Sequence, residues 1–161
     1  TLQQSSAASD VYKRQLGADR RQCNPWQIDP KIVLAETEIN ALGPMMVTRG
    51  LVELLEAGNN PVVMNTSSQL GSMVIGAMMA FDVAYNVSKA ALNMITVMSA
   101  STNKNIAFVA LHPGWVKTDM GTEAAELEVP DAANAIVESL LGLTIEDTGR
   151  FIRWDGTDHP W

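Results

Sequence analysis

The chain has 161 residues, of which 47% are hydrophobic and 18% charged, the make-up of one globular domain with an ordinary core. Its formal net charge of −7 excludes the basic footprint of a nucleic-acid binder, and no apolar run approaches the roughly 20 residues that a membrane-spanning helix needs. One cysteine, Cys23, excludes an internal disulfide framework, so the expectation is a soluble cytoplasmic protein with neither nucleic acid nor membrane as partner.

Residues 1–15 are polar, follow neither helical nor strand periodicity and lack the apolar core of a signal peptide. They are read as an unstructured or non-native leader. Asp10 to Gln15 is similar to a translated transposon end of the kind used in sequencing-library preparation, which points to foreign sequence joined there; a native extension is the alternative. From Asp29 the pattern is helical, with Ile32, Leu34, Ile39, Leu42, Met46, Leu51, Leu54 and Leu55 mostly three or four apart. Gly43-Pro44 interrupts it and predicts a kink there, because an internal proline removes a hydrogen bond. Gly58 to Pro61 ends the helix and launches a strand.

That strand, Val62 to Thr66, runs into two hydroxyls, Ser67 and Ser68. Adjacent strand side chains point to opposite faces, so one of the two should face a site at the strand end. Gly71 to Asp82, with Met73, Met78 and Met79, is predicted as a loop or short helix, either flexible packing or an adaptable apolar wall. Gly71 to Gly76 lacks the Lys-Ser/Thr that would make it a P-loop.

Tyr85-Asn86-Val87-Ser88-Lys89 then opens an apolar run that favours a helix. Four residues apart, Tyr85 and Lys89 share a face. A tyrosine near pKa 10 must shift by roughly two to three units to exchange protons near neutrality, and a neighbouring ammonium moves it that way by stabilising the phenolate. Leu92, Ile95 and Met98 or Ser99 continue one face, which core packing explains. Ile106 to Leu111 is a second apolar strand, ending in His112-Pro113-Gly114-Trp115-Val116-Lys117-Thr118. His112 is read as a strand-end residue rather than a catalyst. In an open parallel sheet ligands bind beyond the carboxyl ends of the strands, where both polar clusters fall. Gly121 to Val129, acidic and rich in small residues, is predicted as a mobile loop over the substrate or else a solvated charged face; a helix follows from Pro130-Asp131 to about Leu141. Thr144 to Gly149 is a turn, Arg150 to Trp154 a last strand, and Asp155 to Trp161 a tail folding back toward the site. No cluster of His, Cys and carboxylates has metal spacing.

Asn65-Thr66-Ser67-Ser68-Gln69-Leu70-Gly71, the Tyr85/Lys89 pair and Pro113 to Thr118 together resemble the short-chain dehydrogenase/reductase family over about Asp29 to Trp161. Leu111 to Gly121, Gly149-Arg150-Phe151, Asp155-Gly156-Thr157 and Pro160-Trp161 resemble its C-factor and sniffer-type carbonyl reductase branch. The resemblance implies an α/β fold, the C-terminal part of a Rossmann-like doubly wound parallel sheet in three αβα layers. About the last three of seven strands are expected, with residues 16–161 forming the catalytic part. None of the eleven glycines supplies a dinucleotide turn, so the first four strands are expected to be missing, together with the residue that chooses between NAD and NADP.

The implied activity is NAD(P)-dependent hydride transfer between the nicotinamide and a small carbonyl or alcohol, NADP being slightly preferred. Tyr85 would be the acid/base, Lys89 would lower its pKa, and Ser68 (with Ser67 as alternative) would bond the substrate oxygen. Asn40 would hold a proton-relay water. Tyr85 and Lys89 would also contact the cofactor, Lys89 through the nicotinamide ribose; Pro113 and Gly114 would pass the nicotinamide ring, and Val116 and Thr118 would bind its carboxamide. A homodimer or homotetramer is the implied assembly for the full-length protein. A non-catalytic signalling or binding homologue, or an inactive fragment, is the alternative.

Overall fold

The computed structural model describes residues 24–79 and 82–161. The readings of residues 1–15 and of Cys23 lie outside the described residues. Three strands, β1 (Val62–Thr66), β2 (Ala107–His112) and β3 (Phe151–Arg153), form a parallel sheet in the order β1-β2-β3. Val62 pairs with Ala107 and Ala110 with Phe151. Parallel neighbours need long connections, and helices supply them: α3 (Val83–Thr102) joins β1 to β2, and α4 (Val129–Gly142) joins β2 to β3.

Ahead of β1 runs one long rod. It consists of α1 (Pro30–Thr37), a π-helical turn (Glu38–Leu42) and α2 (Gly43–Glu56). Asp29 caps α1 by accepting the Lys31 N–H, and Pro30 occupies the first turn, where its missing donor is not needed. The irregularity predicted at Gly43-Pro44 falls one turn earlier. Pro44 has no N–H to return to the Asn40 carbonyl, and its ring crowds that oxygen, so the backbone widens ahead of the proline. The helix then runs unbroken through Gly43 and Pro44.

Strand alternation sends side chains to two covered faces. Toward α4 lie Val109, Leu111 and Ile152, with Leu143, Ile136, Leu140, Val62 and Met64 packed around them. On the other face Ile106, Phe108 and Val63 meet Ala100 of α3 and Val52 and Leu55 of α2. The arrangement is three αβα layers, the expected partial doubly wound sheet. Leu92 is core, 1% exposed, whereas Met98 is 54% exposed, so the predicted stripe on α3 divides between inside and outside.

The tail closes the far edge of the sheet. Asp158 bridges Ile152 antiparallel, and the His159 and Arg153 N–H groups donate to the Phe151 and Thr157 carbonyls at 2.8 Å. At the other edge, no strand lies outside β1 among the described residues.

Candidate active site

The site forms where β1 and β2 end and the first turns of α3 begin. Asp82 starts α3: its Oδ1 accepts the N–H groups of Ala84 (3.0 Å) and Tyr85 (3.3 Å), which fixes Tyr85 on the first turn. Four residues on, the Lys89 ammonium donates to the Thr66 carbonyl at the end of β1 (2.9 Å) and stands 5.6 Å from the centre of the Tyr85 ring. That separation is within cation–π range. The predicted pair is therefore brought together on one face.

A row of buried polar contacts sets the register of α3 on β1. Asn65 Nδ2 donates to Thr96 Oγ1 (2.9 Å), Ser67 Oγ to Asn93 Oδ1 (2.5 Å), and Asn93 Nδ2 to the Gly71 carbonyl (3.2 Å). Ser67 is thereby committed to the helix. Ser68 turns the other way; its Oγ accepts the Leu70 N–H (3.2 Å) at the head of a 3₁₀ turn, Gln69–Gly71, and keeps its own proton to donate. Asn93 and Thr96 escape sequence reasoning, and Asn65 enters it only as part of a motif. The signal was there: Lys89, Asn93 and Thr96 are spaced four and three apart, a polar line on an otherwise apolar helix face.

From the π turn, Asn40 Nδ2 donates to Ser88 Oγ (3.0 Å), and Ser88 Oγ donates to the Tyr85 carbonyl (2.8 Å). Asn40 is thus held beside the Tyr85–Lys89 turn, with its carbonyl lacking the donor that Pro44 cannot give. Glu36, one turn earlier, was not among the sequence candidates and is 6% exposed. Burial pushes its carboxyl up to about 7, Asp82 adding and Lys89 opposing. Burial likewise pulls the Lys89 ammonium down to about 8, against the upward pull of Glu36.

Beyond β2, Gly114 adopts φ +84°, and a Cβ there would meet Leu127 and Trp154. Val116 and Leu127 form a parallel bridge: the Lys117 N–H reaches the Leu127 carbonyl (2.9 Å) and the Leu127 N–H reaches the Trp115 carbonyl (3.1 Å). In such a bridge the N–H of Val116 itself points to the opposite side. Thr118 Oγ1 accepts the Gly121 N–H (3.2 Å), Trp115 Nε1 donates to the Gly121 carbonyl (2.8 Å), and Lys117 pairs with Glu128. Gly121 to Val129, predicted as a mobile loop, is thus tied back to residues 115–118, with Ala125 buried. His112 ends β2 as predicted; burial, with help from His159 and Arg153, pushes it down to about 4, and its ring meets that of His159 edge-on at 5.3 Å. The tail therefore reaches the strand end that carries Pro113.

The residues fit one end of a dinucleotide: a lysine and tyrosine on the helix beside the end of one strand, and an outward backbone donor with a threonine hydroxyl after the next. No glycine-rich turn opens a helix after a strand among the described residues, so a pyrophosphate cradle is not among them. No group of three or more His, Cys, Asp or Glu among the described residues could hold a metal ion, and none of the described helices is long and apolar enough to cross a membrane.

Residues 20–128 match the family model described as short chain dehydrogenase. C-signal of Myxococcus xanthus is 37% identical over 94% of this chain and 92% of its own length. Short-chain dehydrogenase srdF of Neurospora crassa is 35% identical over 84% of this chain, which spans only 58% of that protein. Among solved structures, carbonyl reductase Sniffer of D. melanogaster superposes with a TM-score of 0.80 at 27% identity, covering 98% of this chain and 73% of that one. An NADPH-bound carbonyl reductase from chicken fatty liver gives 0.79 at 26% identity, over 98% and 72%.

Proposed function

Because the chain belongs to the short-chain dehydrogenase family, we propose that residues 16–161 carry the substrate-facing part of an NAD(P)-dependent oxidoreductase acting on a small carbonyl or alcohol. The observation that carries this reading is the Lys89 ammonium, fixed on the Thr66 carbonyl beside the Tyr85 ring, two residues before Ser68.

In reduction, Tyr85 gives its proton to the substrate oxygen as negative charge develops there. Lys89 makes that transfer easier by favouring the phenolate left behind, and it does so only while protonated. Ser68 donates to the same oxygen, where a placed donor is worth most in the transition state. Asn40 orders a water that restores the proton through Lys89. The nicotinamide, when bound, supplies the hydride. Lys89 and Tyr85 hold its ribose, Pro113 and Gly114 admit the ring, and Val116 and Thr118 bind the carboxamide. NADPH is favoured over NADH because NADPH is the cofactor named for the chicken reductase. The exposed Met45, Met46, Leu51, Leu54, Met94 and Met98 of α2 and α3 suit a homodimer, or one face of a homotetramer. A cytoplasmic location goes with the reading.

One observation favours a second reading. C-signal of Myxococcus xanthus, 37% identical over 94% of this chain, is named for signalling, which supports a protein that signals or binds. Titration with NADPH and NADH, followed by thermal unfolding and by cofactor oxidation with a panel of aldehydes and quinones, separates the two. The dehydrogenase reading expects about 2.7 kcal/mol of stabilisation at a hundredfold excess over Kd. It also expects Tyr85→Phe to lose turnover while cofactor still stabilises the chain through Lys89, Val116 and Thr118. Unfolding temperatures that ignore both cofactors would leave the signalling reading in the lead.

A further inference from the structure

We propose that Glu36 is a positioning residue for the Tyr85–Lys89 pair: its enclosed carboxylate is the counter-charge that keeps the Lys89 ammonium protonated on the Thr66 carbonyl. The inference deepens the proposed function and rests on its reading of Tyr85 and Lys89 as the acid/base pair.

Glutamates are almost never buried without a partner, yet Glu36 is 6% exposed and its Oε2 is enclosed with no hydrogen-bond partner among the described residues. Such a group is unfavourable to folding, so what it faces matters. It lies about one turn before Asn40 on the same rod, and Asn40 is bonded to Ser88, the residue next to Lys89. That contact seats this stretch of the rod against the first turns of α3. The charged groups that act on it there are Asp82 and Lys89; Asp29, Lys31 and Glu38 from its own rod and cap are exposed to solvent. Of these, Lys89 is the cation.

The two shifts agree with the geometry. Lys89 is pulled down to about 8 by burial, and Glu36 is the charge that opposes the fall. Without the carboxylate, burial acts unopposed and more of the amine is neutral at pH 7 to 8. A neutral amine does not favour the phenolate, so Glu36 extends the pH range over which Lys89 can serve Tyr85. With Glu36 itself titrating near 7, the support weakens on the acid side.

The test reads the groups themselves rather than turnover. Carbon-13 labelling of lysine ε and glutamate δ carbons, assigned with Lys89→Arg and Glu36→Gln, gives residue-resolved NMR titrations of the intact chain. In the wild type the Glu36 carboxyl is expected to titrate well above the exposed glutamates. In Glu36→Gln the Lys89 midpoint is expected to fall by about one pH unit, a tenfold gain in neutral amine. Glu38→Gln removes the same formal charge two residues away at an exposed position and should leave Lys89 where it was. A wild-type Glu36 titrating with the exposed glutamates, which needs no variant that folds, overturns the proposal. So does a Lys89 midpoint that Glu36→Gln leaves unmoved. Cofactor oxidation measured in parallel keeps the two conclusions apart: turnover with an unmoved Lys89 retains the dehydrogenase reading and removes the role of Glu36. A moved Lys89 in a chain without turnover does the reverse.

Discussion

Ser67 and Ser68 sit side by side yet bond to different partners, and substitution should separate them. Ser67 Oγ is buried and bonded to Asn93, so Ser67→Ala leaves an acceptor unpaired in the core, a loss of about 1–3 kcal/mol in denaturant unfolding. Among the described residues Ser68 Oγ accepts only a local Leu70 N–H. Ser68→Ala should unfold nearly like the wild type and lose about 10²–10³ in kcat, the effect of removing one oxyanion donor. Reversal of the two phenotypes would make Ser67 the substrate-facing hydroxyl. The choice of Ser68 came from the likeness of Asn65 to Gly71 to a family motif, and strand alternation could say only that one of the two faces the site. The partner that occupies Ser67, Asn93, lies 26 residues further on and is visible only once α3 is packed.

The elements were legible in proportion to how local their causes are. β1, α3 and β2 follow from apolar runs with their caps and turn residues, and the structure has them close to where the pattern put them. The sequence predicts the irregularity in the rod at Gly43-Pro44 because the proline is the visible cause. Its effect falls on the preceding turn, since the missing N–H and the crowding ring both act on the Asn40 carbonyl. The segment after Gly121 is the loop expected, but its anchoring was not legible. Its acidic, small-residue composition suggests freedom, and the Val116–Leu127 bridge that ties it down is a non-local pairing with no composition of its own. Where the 3₁₀ turn Gln69–Gly71 packs on α3, Gly71 permits the contact: a Cβ there would lie 2.7 Å from the Lys89 carbonyl carbon and 2.8 Å from Lys89 Cβ. Backbone cannot yield as a side-chain tip can, so Gly71→Ala should push the turn off α3. The expected loss is about 1–3 kcal/mol, as for overpacking in a core. Because Asn93 Nδ2 bonds the Gly71 carbonyl, the Asn93 amide signals should shift in the same variant. An unchanged unfolding midpoint would mean that the turn is not pressed against the helix.

At the scale of the whole molecule, two buried titratable groups on different elements pull stability in opposite directions with pH. His112, at the end of β2, is held at about 4, below its ordinary 6.5. Between those values the unfolded chain binds more protons than the folded one, so stability rises with pH across that window and falls away on acidification. Two and a half pKa units set an upper limit of roughly 3 kcal/mol on this effect. Glu36, held at about 7 against an ordinary 4.5, does the opposite: from 4.5 to 7 the folded chain binds more protons, and stability falls as pH rises. The windows overlap between 4.5 and 6.5, where the two slopes offset each other. Asp147 and Asp155, whose pKa values are lowered by their hydrogen bonds, act on the acid side of this range. Denaturant unfolding from pH 4.5 to 7.5 should therefore give a nearly level profile for the wild type. Glu36→Gln should tilt it upward with pH, and His112→Gln should tilt it downward. Both variants must depart from the wild type, and in opposite senses; three parallel profiles would mean that neither group is held away from its ordinary pKa by the fold.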